Sequence, residues 1–593
     1  MVSIGEVDWR GCSARLRPMR GIPWRLLGLA AGTAVLLDLP FPLAGPLPAW
    51  RSIFAWFALA PLLVGILRLP QVFPEEKRRW RLRWAFLAGW LSGAIWFGAN
   101  CYWVYNTMHV YGGMNAPLAA LSLVLFSLYL GFWFGVFALV LAVVREATFD
   151  RKNAWLAFVA VPFFWVAMEF AIARIPGFPW DQLGYSQVDN GLLTRLAPWT
   201  GVYGITFVLA GVNALFAVPM GLVSGNGYSV IPVNAKKTWN VWRFCVVLCA
   251  VFAVLSIRHS DTLPKPEGEA MAMLVQPNLN VASDDVWVGP EWDRHIAQFA
   301  ALGAQACKGY LAGLPETDAP QANEFGCKTV PVPSLVVWPE SPAPFRDVDP
   351  KFQSAMRSVV EADKAPMIVG AIGMDADQAT QQYRIYNSAV VFAQDGHVAG
   401  RYDKMHLVPF GEYVPHRELF FFVRQIAQSL TDMSVGTERK VFRINGANGA
   451  HRYGVFICYE SVFGDEVRQF VRLGAEVLVN ISDDGWYGDS SAPWQHLNMA
   501  RMRAIENRRW ILRDTNNGVT ASIDPYGTVR QSIPRHEVGA LAAQFGYSSE
   551  ITFYTAHGDW LAELCAILSL VLVVWSGRSL LGLSGVKRSV EAA

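Results

Sequence analysis

The sequence predicts a membrane α-helical bundle of about eight spans joined to one α/β domain. Three observations predict it. First, the composition is apolar: 53% of the 593 residues are hydrophobic and only 17% are charged, with a mean hydropathy of +0.25. Second, long apolar runs crowd the first 260 residues and recur once near the C-terminus. Third, between residues 270 and 545 the apolar runs shorten to strand length and alternate with helical patterns, the signature of layered α/β architecture. Such a composition excludes a disordered chain. A net charge of +2 supplies no basic field for nucleic acid. Eight Cys in 593 residues exclude a disulfide-built scaffold.

Seven candidate spans lie at roughly 24–45, 51–67, 84–105, 116–144, 153–173, 201–223 and 241–258, and an eighth at about 560–577. A bilayer-crossing helix needs ~20 apolar residues, so the second span is short and the fourth can cross tilted. The first ends in a Pro-rich stretch, Leu39-Pro40-Phe41-Pro42, and reads as an uncleaved anchor, because no small-residue cleavage site follows it. Asp38 and Glu169 lie inside apolar spans. Charges there are costly and often functional; both read here as stabilising the bundle. Basic residues mark every second connection, from Arg10–Arg25, through Lys77–Arg83, Arg145–Lys152 and Lys236–Arg243, to Arg578–Arg588. Lysine and arginine gather on the cytoplasmic side. Both termini are therefore expected in the cytoplasm, and residues 259–558 beyond the membrane. The expected division is a bundle over 1–258, an extracytoplasmic catalytic domain over 259–558, and a last helix with a cytoplasmic tail over 559–593.

Within the soluble block, strands are expected at 270–275, 335–338, 367–372, 387–393, 453–457, 476–481 and 518–523. The turn Asp395-Gly396 closes the fourth of them. Helices are expected at 291–306, 350–363, 461–473 and 494–508. Residues 307–333 are rich in Gly and Pro and read as an inserted loop.

Three reactive side chains follow these strands. Glu340 follows Leu335–Trp338, Lys404 follows the Asp395-Gly396 hairpin, and Cys458 ends Gly454–Ile457. Strand ends are where α/β folds gather functional groups. A thiol needs to lose its proton to become a strong nucleophile. A nearby ammonium favours the thiolate, and a carboxylate can accept the proton and return it to a leaving group. The ammonium and the Tyr459 backbone N–H could hold an oxyanion. Such a site transfers acyl groups through a thioester, with no metal or organic cofactor. Taken singly, each residue has a plainer reading: a core thiol, a turn carboxylate, a solvated lysine. Sequence spacing does not show that they meet.

At these residues the chain resembles the nitrilase superfamily, whose members use a Glu-Lys-Cys triad on an αββα sandwich. With membrane spans around it, it resembles the apolipoprotein N-acyltransferase family. The resemblance is carried by Trp338-Pro339-Glu340-Ser341, by the string Asp403-Lys404-Met405-His406-Leu407-Val408-Pro409-Phe410-Gly411-Glu412-Tyr413-Val414-Pro415, and by Ile457-Cys458-Tyr459-Glu460. Pro493–His496, Met499–Ala504, Thr515–Ala521, Gly177–Trp180 and Gly184–Gln187 extend it over nearly the whole chain. It implies Glu340 as general base, Lys404 as oxyanion and thiolate stabiliser, and Cys458 as nucleophile. It also implies Glu412 as the holder of Lys404, and Tyr459 and Glu460 as supports beside the Cys. A family Trp that gates substrate points to Trp287, with Trp292 the alternative. The implied reaction takes an acyl chain from a phospholipid, usually phosphatidylethanolamine, onto the Cys. It then passes the chain to the α-amino group of a lipoprotein's diacylglyceryl-cysteine. The implied setting is the bacterial inner membrane with a periplasmic catalytic domain, and the expected state is a monomer. A membrane-tethered amidase using water, and a non-catalytic transporter or receptor, are the competing readings.

The chain departs from the family at Asp483, where Asn is usual, and at the 307–333 insertion, whose Cys307 and Cys327 are either a disulfide or two free thiols. Phe178, Trp180, Phe420, Phe421 and Phe422 form either a lipid-facing mouth or an ordinary interfacial belt. His406 and His496 read as structural.

Overall fold

The computed structural model describes residues 22–149, 155–222, 268–279, 281, 290–306, 332–340, 345–377, 382–413 and 433–580. The bundle contains α1 (Trp24–Asp38), α2 (Ala60–Leu67, entered by a 3-10 turn from Ala49), α3 (Arg78–Asn100), α4 (Ala116–Thr148), α5 (Leu156–Arg174) and α6 (Val202–Leu222). The first expected span shortens to 15 residues, because Pro40 and Pro42 cannot continue a helix. The seventh, 241–258, lies outside the described residues. Among those described, Ala49–Leu67, Ala116–Thr148, Leu156–Arg174 and Trp560–Leu580 are long and apolar enough to cross a membrane.

Small residues set the closest helix contact. A Cβ on Gly89 would strike the Phe134 backbone, and one on Gly131 would strike Ala94. With Gly93 and Gly135 one turn on, these glycines let α3 and α4 touch backbone to backbone, as packing in lipid favours. Glu169 is no orphan in this bundle: it accepts from Trp165 Nε1 (2.9 Å), Leu183 N (2.8 Å) and Thr206 Oγ1 (3.0 Å).

The soluble block is a four-layer αββα sandwich. One sheet has the order β12-β1-β2-β3-β4-β5, with β1 Ala270–Gln276, β2 Leu335–Trp338, β3 Met367–Asp377, β4 Gln382–Phe392, β5 Val398–Asp403 and β12 Gly539–Phe545. The other has the order β11-β10-β9-β8-β7-β6, with β6 Val441–Gly446, β7 Gly449–Ile457, β8 Val477–Ser482, β9 Ile511–Thr515, β10 Thr520–Ile523 and β11 Val529–Ile533. Alternation divides each strand between two cores. On β1, Ala272 and Leu274 face the other sheet, whereas Met273 and Val275 face the outer helices α7 (Pro290–Ala306) and α8 (Pro350–Asp363). On the far side lie α9 (Gly464–Arg472) and α10 (Ala492–Asn507). The predicted helix at 461–473 breaks in two, a 3-10 turn Cys458–Val462 followed by α9. The last helix, α11 (Trp560–Leu580), returns to pack on α4 and α5.

Helix α10 is buried on both faces, which explains its weak amphipathicity. Leu497, Ala500 and Ala504 cover the second sheet, while Met499, Met502 and Ile505 join the core of the bundle. Ion pairs and hydrogen bonds seal the joint: Arg174 to Asp559 (2.7 Å), Arg503 to Tyr185 (2.9 Å) and Val202 N to Glu506 (3.0 Å). Residues of the sandwich thus enter the core of the bundle, while the two sheets keep a core of their own between them.

Candidate active site

Parallel strands β1-β2-β3 and β7-β8-β9 direct their C-terminal ends to one side, and the candidate residues leave there. Glu340 comes two residues after β2, Lys404 directly after β5, Cys458 directly after β7 and Asp483 directly after β8. All are buried; Glu340, Lys404 and Cys458 are 7%, 1% and 5% exposed.

Lys404 Nζ lies 3.1 Å from Glu340 Oε1 and 2.9 Å from Glu412 Oε1. Burial alone would depress its ammonium, but Glu340 and Glu412 outweigh burial and hold it well above the usual lysine range. Asn387 on β4 completes a square. Its Nδ2 donates to Glu340 Oε1 (2.7 Å) and to Glu412 Oε1 (2.6 Å), and its backbone carbonyl accepts from Lys404 N (2.8 Å). The other oxygen of Glu412 accepts from Val408 N (2.7 Å), so this carboxylate both pairs with the lysine and ties its own loop.

Glu340 Oε1 thus takes two donors, whereas Oε2 takes one, Asp483 N at 2.8 Å. A carboxylate oxygen has two lone pairs. Among the described residues, Oε2 therefore keeps one lone pair without a donor.

Cys458 has a φ of 48°, a conformation costly for a residue with a Cβ and sustained only where surroundings hold it. Both Glu340 and Lys404 act on its thiol electrostatically. Burial and the Glu340 charge outweigh Lys404 and push the thiol well above its usual range. Both effects favour the neutral thiol over the thiolate, against the pull of the ammonium.

Glu460 staples the lysine strand to the cysteine strand. Its Oε1 accepts from Tyr402 OH (2.7 Å) and Met405 N (2.7 Å), and its Oε2 accepts from Ile457 N (2.7 Å). Tyr459 reaches the bundle, donating from its hydroxyl to Gly177 O (3.1 Å) and stacking on Trp180 at 6.4 Å.

Asp483 follows β8 and lies against Glu340, to which its backbone N–H donates. Its carboxylate oxygens accept from Gly485 N (3.0 Å) and Asn516 Nδ2 (3.1 Å). Burial and the neighbouring Glu340 charge raise its pKa to about 8, so it is largely neutral at pH 7 and adds no second anion there. Ionisation above that pH puts a negative charge beside Glu340 and opposes the anionic transition state. Acylation by the wild-type protein is expected to fall as pH rises through about 8, and Asp483→Asn is expected to carry the activity further into alkaline pH. Overlapping pH–rate profiles for the two would remove this role.

Other expectations sort as follows. Trp292 packs on Phe345 (6.0 Å) beneath Lys351 in the outer helix layer. Trp287, Cys307, Cys327 and Phe420–Phe422 lie outside the described residues. Trp180 is 2% exposed and donates to Gln495 Oε1 (2.8 Å); it is a joint between bundle and sandwich, not a lipid-facing aromatic. His406 stacks on Phe463 at 3.6 Å. Asn387 was not foreseen; its one trace in sequence is a polar pair, Asn387-Ser388, inside an apolar strand. Among the described residues no cluster of His, Cys, Asp and Glu is arranged to hold a metal ion.

Comparison with known proteins agrees with both halves of the chain. The family profile described as apolipoprotein N-acyltransferase N-terminal domain matches residues 33–215, and carbon-nitrogen hydrolase matches residues 305–547. The apolipoprotein N-acyltransferase of Geobacter metallireducens is 31% identical over 95% of this chain and 98% of its own. That of Pseudomonas aeruginosa is 30% identical over 93% and 95%. Saccharomyces cerevisiae Nit3, of the nitrilase superfamily, superposes on 46% of this chain and 88% of its own at 18% identity, with a TM-score of 0.33. With relatives matched end to end at this identity, the chain belongs to the apolipoprotein N-acyltransferase family.

Proposed function

We propose that this protein is a phospholipid:apolipoprotein N-acyltransferase, with Cys458 as nucleophile, Glu340 as general base and Lys404 as oxyanion stabiliser. Glu412 and Asn387 hold the lysine, and Glu460 and Tyr459 fix the nucleophile's surroundings. One observation carries the reading. The buried Glu340–Lys404 pair lies beside Cys458 on the side of the sandwich docked to the bundle through Tyr459 and Gly177. A site so placed lets acyl chains stay in lipid. A soluble enzyme would extract them at ~0.8 kcal/mol per CH₂.

In the first half-reaction the thiol proton passes to Glu340 Oε2 as the sulfur attacks the ester carbonyl. Lys404 Nζ and the Tyr459 N–H receive the oxyanion. Collapse breaks the ester C–O bond, and the leaving alkoxide takes the proton back from Glu340. In the second, the free amine of a diacylglyceryl-cysteine attacks the thioester. Its proton passes through Glu340 to the departing Cys458 sulfur, and the amide leaves with the acyl chain. The donor is phosphatidylethanolamine and the enzyme works as a monomer in the bacterial inner membrane. Residues 259–558 form its periplasmic catalytic domain, between a bundle over 1–258 and a last helix with its tail over 559–593. The alternation of basic connections supports that orientation. Trp287 is the substrate gate.

Purified protein given acyl-labelled phospholipid is expected to hold a hydroxylamine-labile label. Adding a diacylated lipopeptide is expected to move it to the peptide amine. Free fatty acid formed without the peptide would point to an amidase-like hydrolase instead, and no label at all to a binding protein.

A further inference from the structure

Behind the nucleophile runs a buried chain of polar side chains that the steps above do not use. Arg513 on β9 donates through Nη2 to Asp484 Oδ2 (2.7 Å) and through Nη1 to Asn480. Asp484 Oδ1 lies 2.9 Å from His496 Nδ1 and accepts from Ser482 Oγ at 2.9 Å. His496 Nε2 lies 3.0 Å from the Cys458 carbonyl oxygen and 2.6 Å from Ser461 Oγ. The side chains of Arg513, Asp484 and His496 are all 0% exposed.

The carbonyl oxygen can only accept. Arg513 Nη2, which can only donate, also lies 3.1 Å from His496 Nδ1; Nδ1 therefore accepts, and the neutral ring's one proton sits on Nε2, which donates to Cys458 O at 3.0 Å. That oxygen is one end of a peptide unit whose other end is the Tyr459 N–H. The bond is trans, since no peptide among the described residues is cis, so the two groups point in opposite directions. Holding the oxygen therefore aims the N–H, and donating to the oxygen polarises the N–H into a better donor. Tyr459 N belongs to the first turn of the 3-10 helix Cys458–Val462, where N–H groups have no partner within the helix. The left-handed φ of Cys458 requires just such an external hold.

We propose that His496, anchored by Asp484 and Arg513, is a positioning residue of acyl transfer that aims and polarises the Tyr459 N–H toward the oxyanion. This rests on the reading of Cys458 as nucleophile given above. His496 also lies face to face with Trp180 at 6.0 Å, and its neighbour Gln495 accepts from the Trp180 indole. The peptide's aim is thus registered on the membrane bundle. The string Ser461–His496–Asp484 has the spacing of a hydrolytic triad, but Ser461 is 0% exposed and no substrate reaches it there.

The test uses the full-length protein in detergent and two reactions of Cys458. Acylation by labelled phospholipid passes through an oxyanion; alkylation by iodoacetamide needs the thiolate but no oxyanion. His496→Leu is expected to slow single-turnover acylation by about 10²–10³-fold. Half-saturating phospholipid and the pH profile of alkylation are expected to stay unmoved. His496→Gln, which returns an N–H near the ε position, is expected to recover most of the rate; His496→Asn, which returns one near the δ position, is not. Ser461→Ala is expected to acylate at the wild-type rate. Wild-type acylation by His496→Leu would overturn the proposal, as would a loss in Ser461→Ala equal to that in His496→Leu. Should His496→Leu not fold, the Gln and Asn variants decide, and equal rates for these two would overturn it. A wild-type protein whose Cys458 neither alkylates nor acylates would instead overturn the nucleophile assignment, and this proposal with it.

Discussion

Cys458→Ala is expected to abolish the acyl-enzyme and to lower turnover by about 10⁴–10⁶-fold, the scale of losing a covalent nucleophile. The fold should hardly notice. The residue is 5% exposed, and its removal takes one small apolar atom from the core, a change on the order of 1 kcal/mol. A melting curve close to wild type, together with no labelled adduct, is the expected pair of readings. Cys458→Ser is the sharper test of activation. A hydroxyl is far harder to ionise than a thiol, and even the thiol here is held protonated by burial and by Glu340. Turnover by the serine protein should therefore stay near that of the alanine protein. Appreciable serine-enzyme activity would mean that Glu340 and Lys404 activate far more strongly than their geometry allows.

Lys404→Met is expected to produce the second-largest effect, on two axes at once. Catalysis loses its charged oxyanion donor, about 10²–10³-fold or more. Stability falls as well, because Glu340 and Glu412 are left facing each other across Asn387 with their shared cation gone. Removing one partner of a buried ion pair costs about 3–5 kcal/mol. The two axes can be separated. Adding Glu412→Gln relieves the stranded charge and is expected to restore much of the melting temperature, but none of the acylation rate. A Lys404→Met protein that acylates at the wild-type rate would exclude the lysine from the chemistry, whatever its stability.

Much of the fold was legible because its signals are local. The apolar runs, the Asp395-Gly396 turn and the strands at Leu335–Trp338 and Tyr453–Ile457 depend on neighbouring residues alone. Edge and late strands such as β6 and β11 escaped notice because their exposed faces dilute the apolar pattern. Trp180 was misread for a related reason: an aromatic in a loop looks lipid-facing until α10 is seen to cover it. The site followed the same division. Glu340, Lys404, Cys458 and Glu412 lie in strings specific enough to mark them. Asn387 and the Arg513–Asp484–His496 chain draw their meaning from partners 25–47 and 12–38 residues away in sequence, which no spacing rule reveals. The protonation states were also out of reach. A lysine beside a cysteine favours the thiolate, whereas burial and the Glu340 charge favour the thiol.

The most direct measurement is peptide mass spectrometry of the full-length protein quenched after mixing with phospholipid alone, and again after adding a diacylated lipopeptide. One acyl chain should be found on the peptide that carries Cys458, hydroxylamine should release it, and the lipopeptide should remove it at the rate of turnover. An unmodified Cys458 in a protein that is turning over, or an acyl chain on any other residue that is lost at that rate, would refute the mechanism.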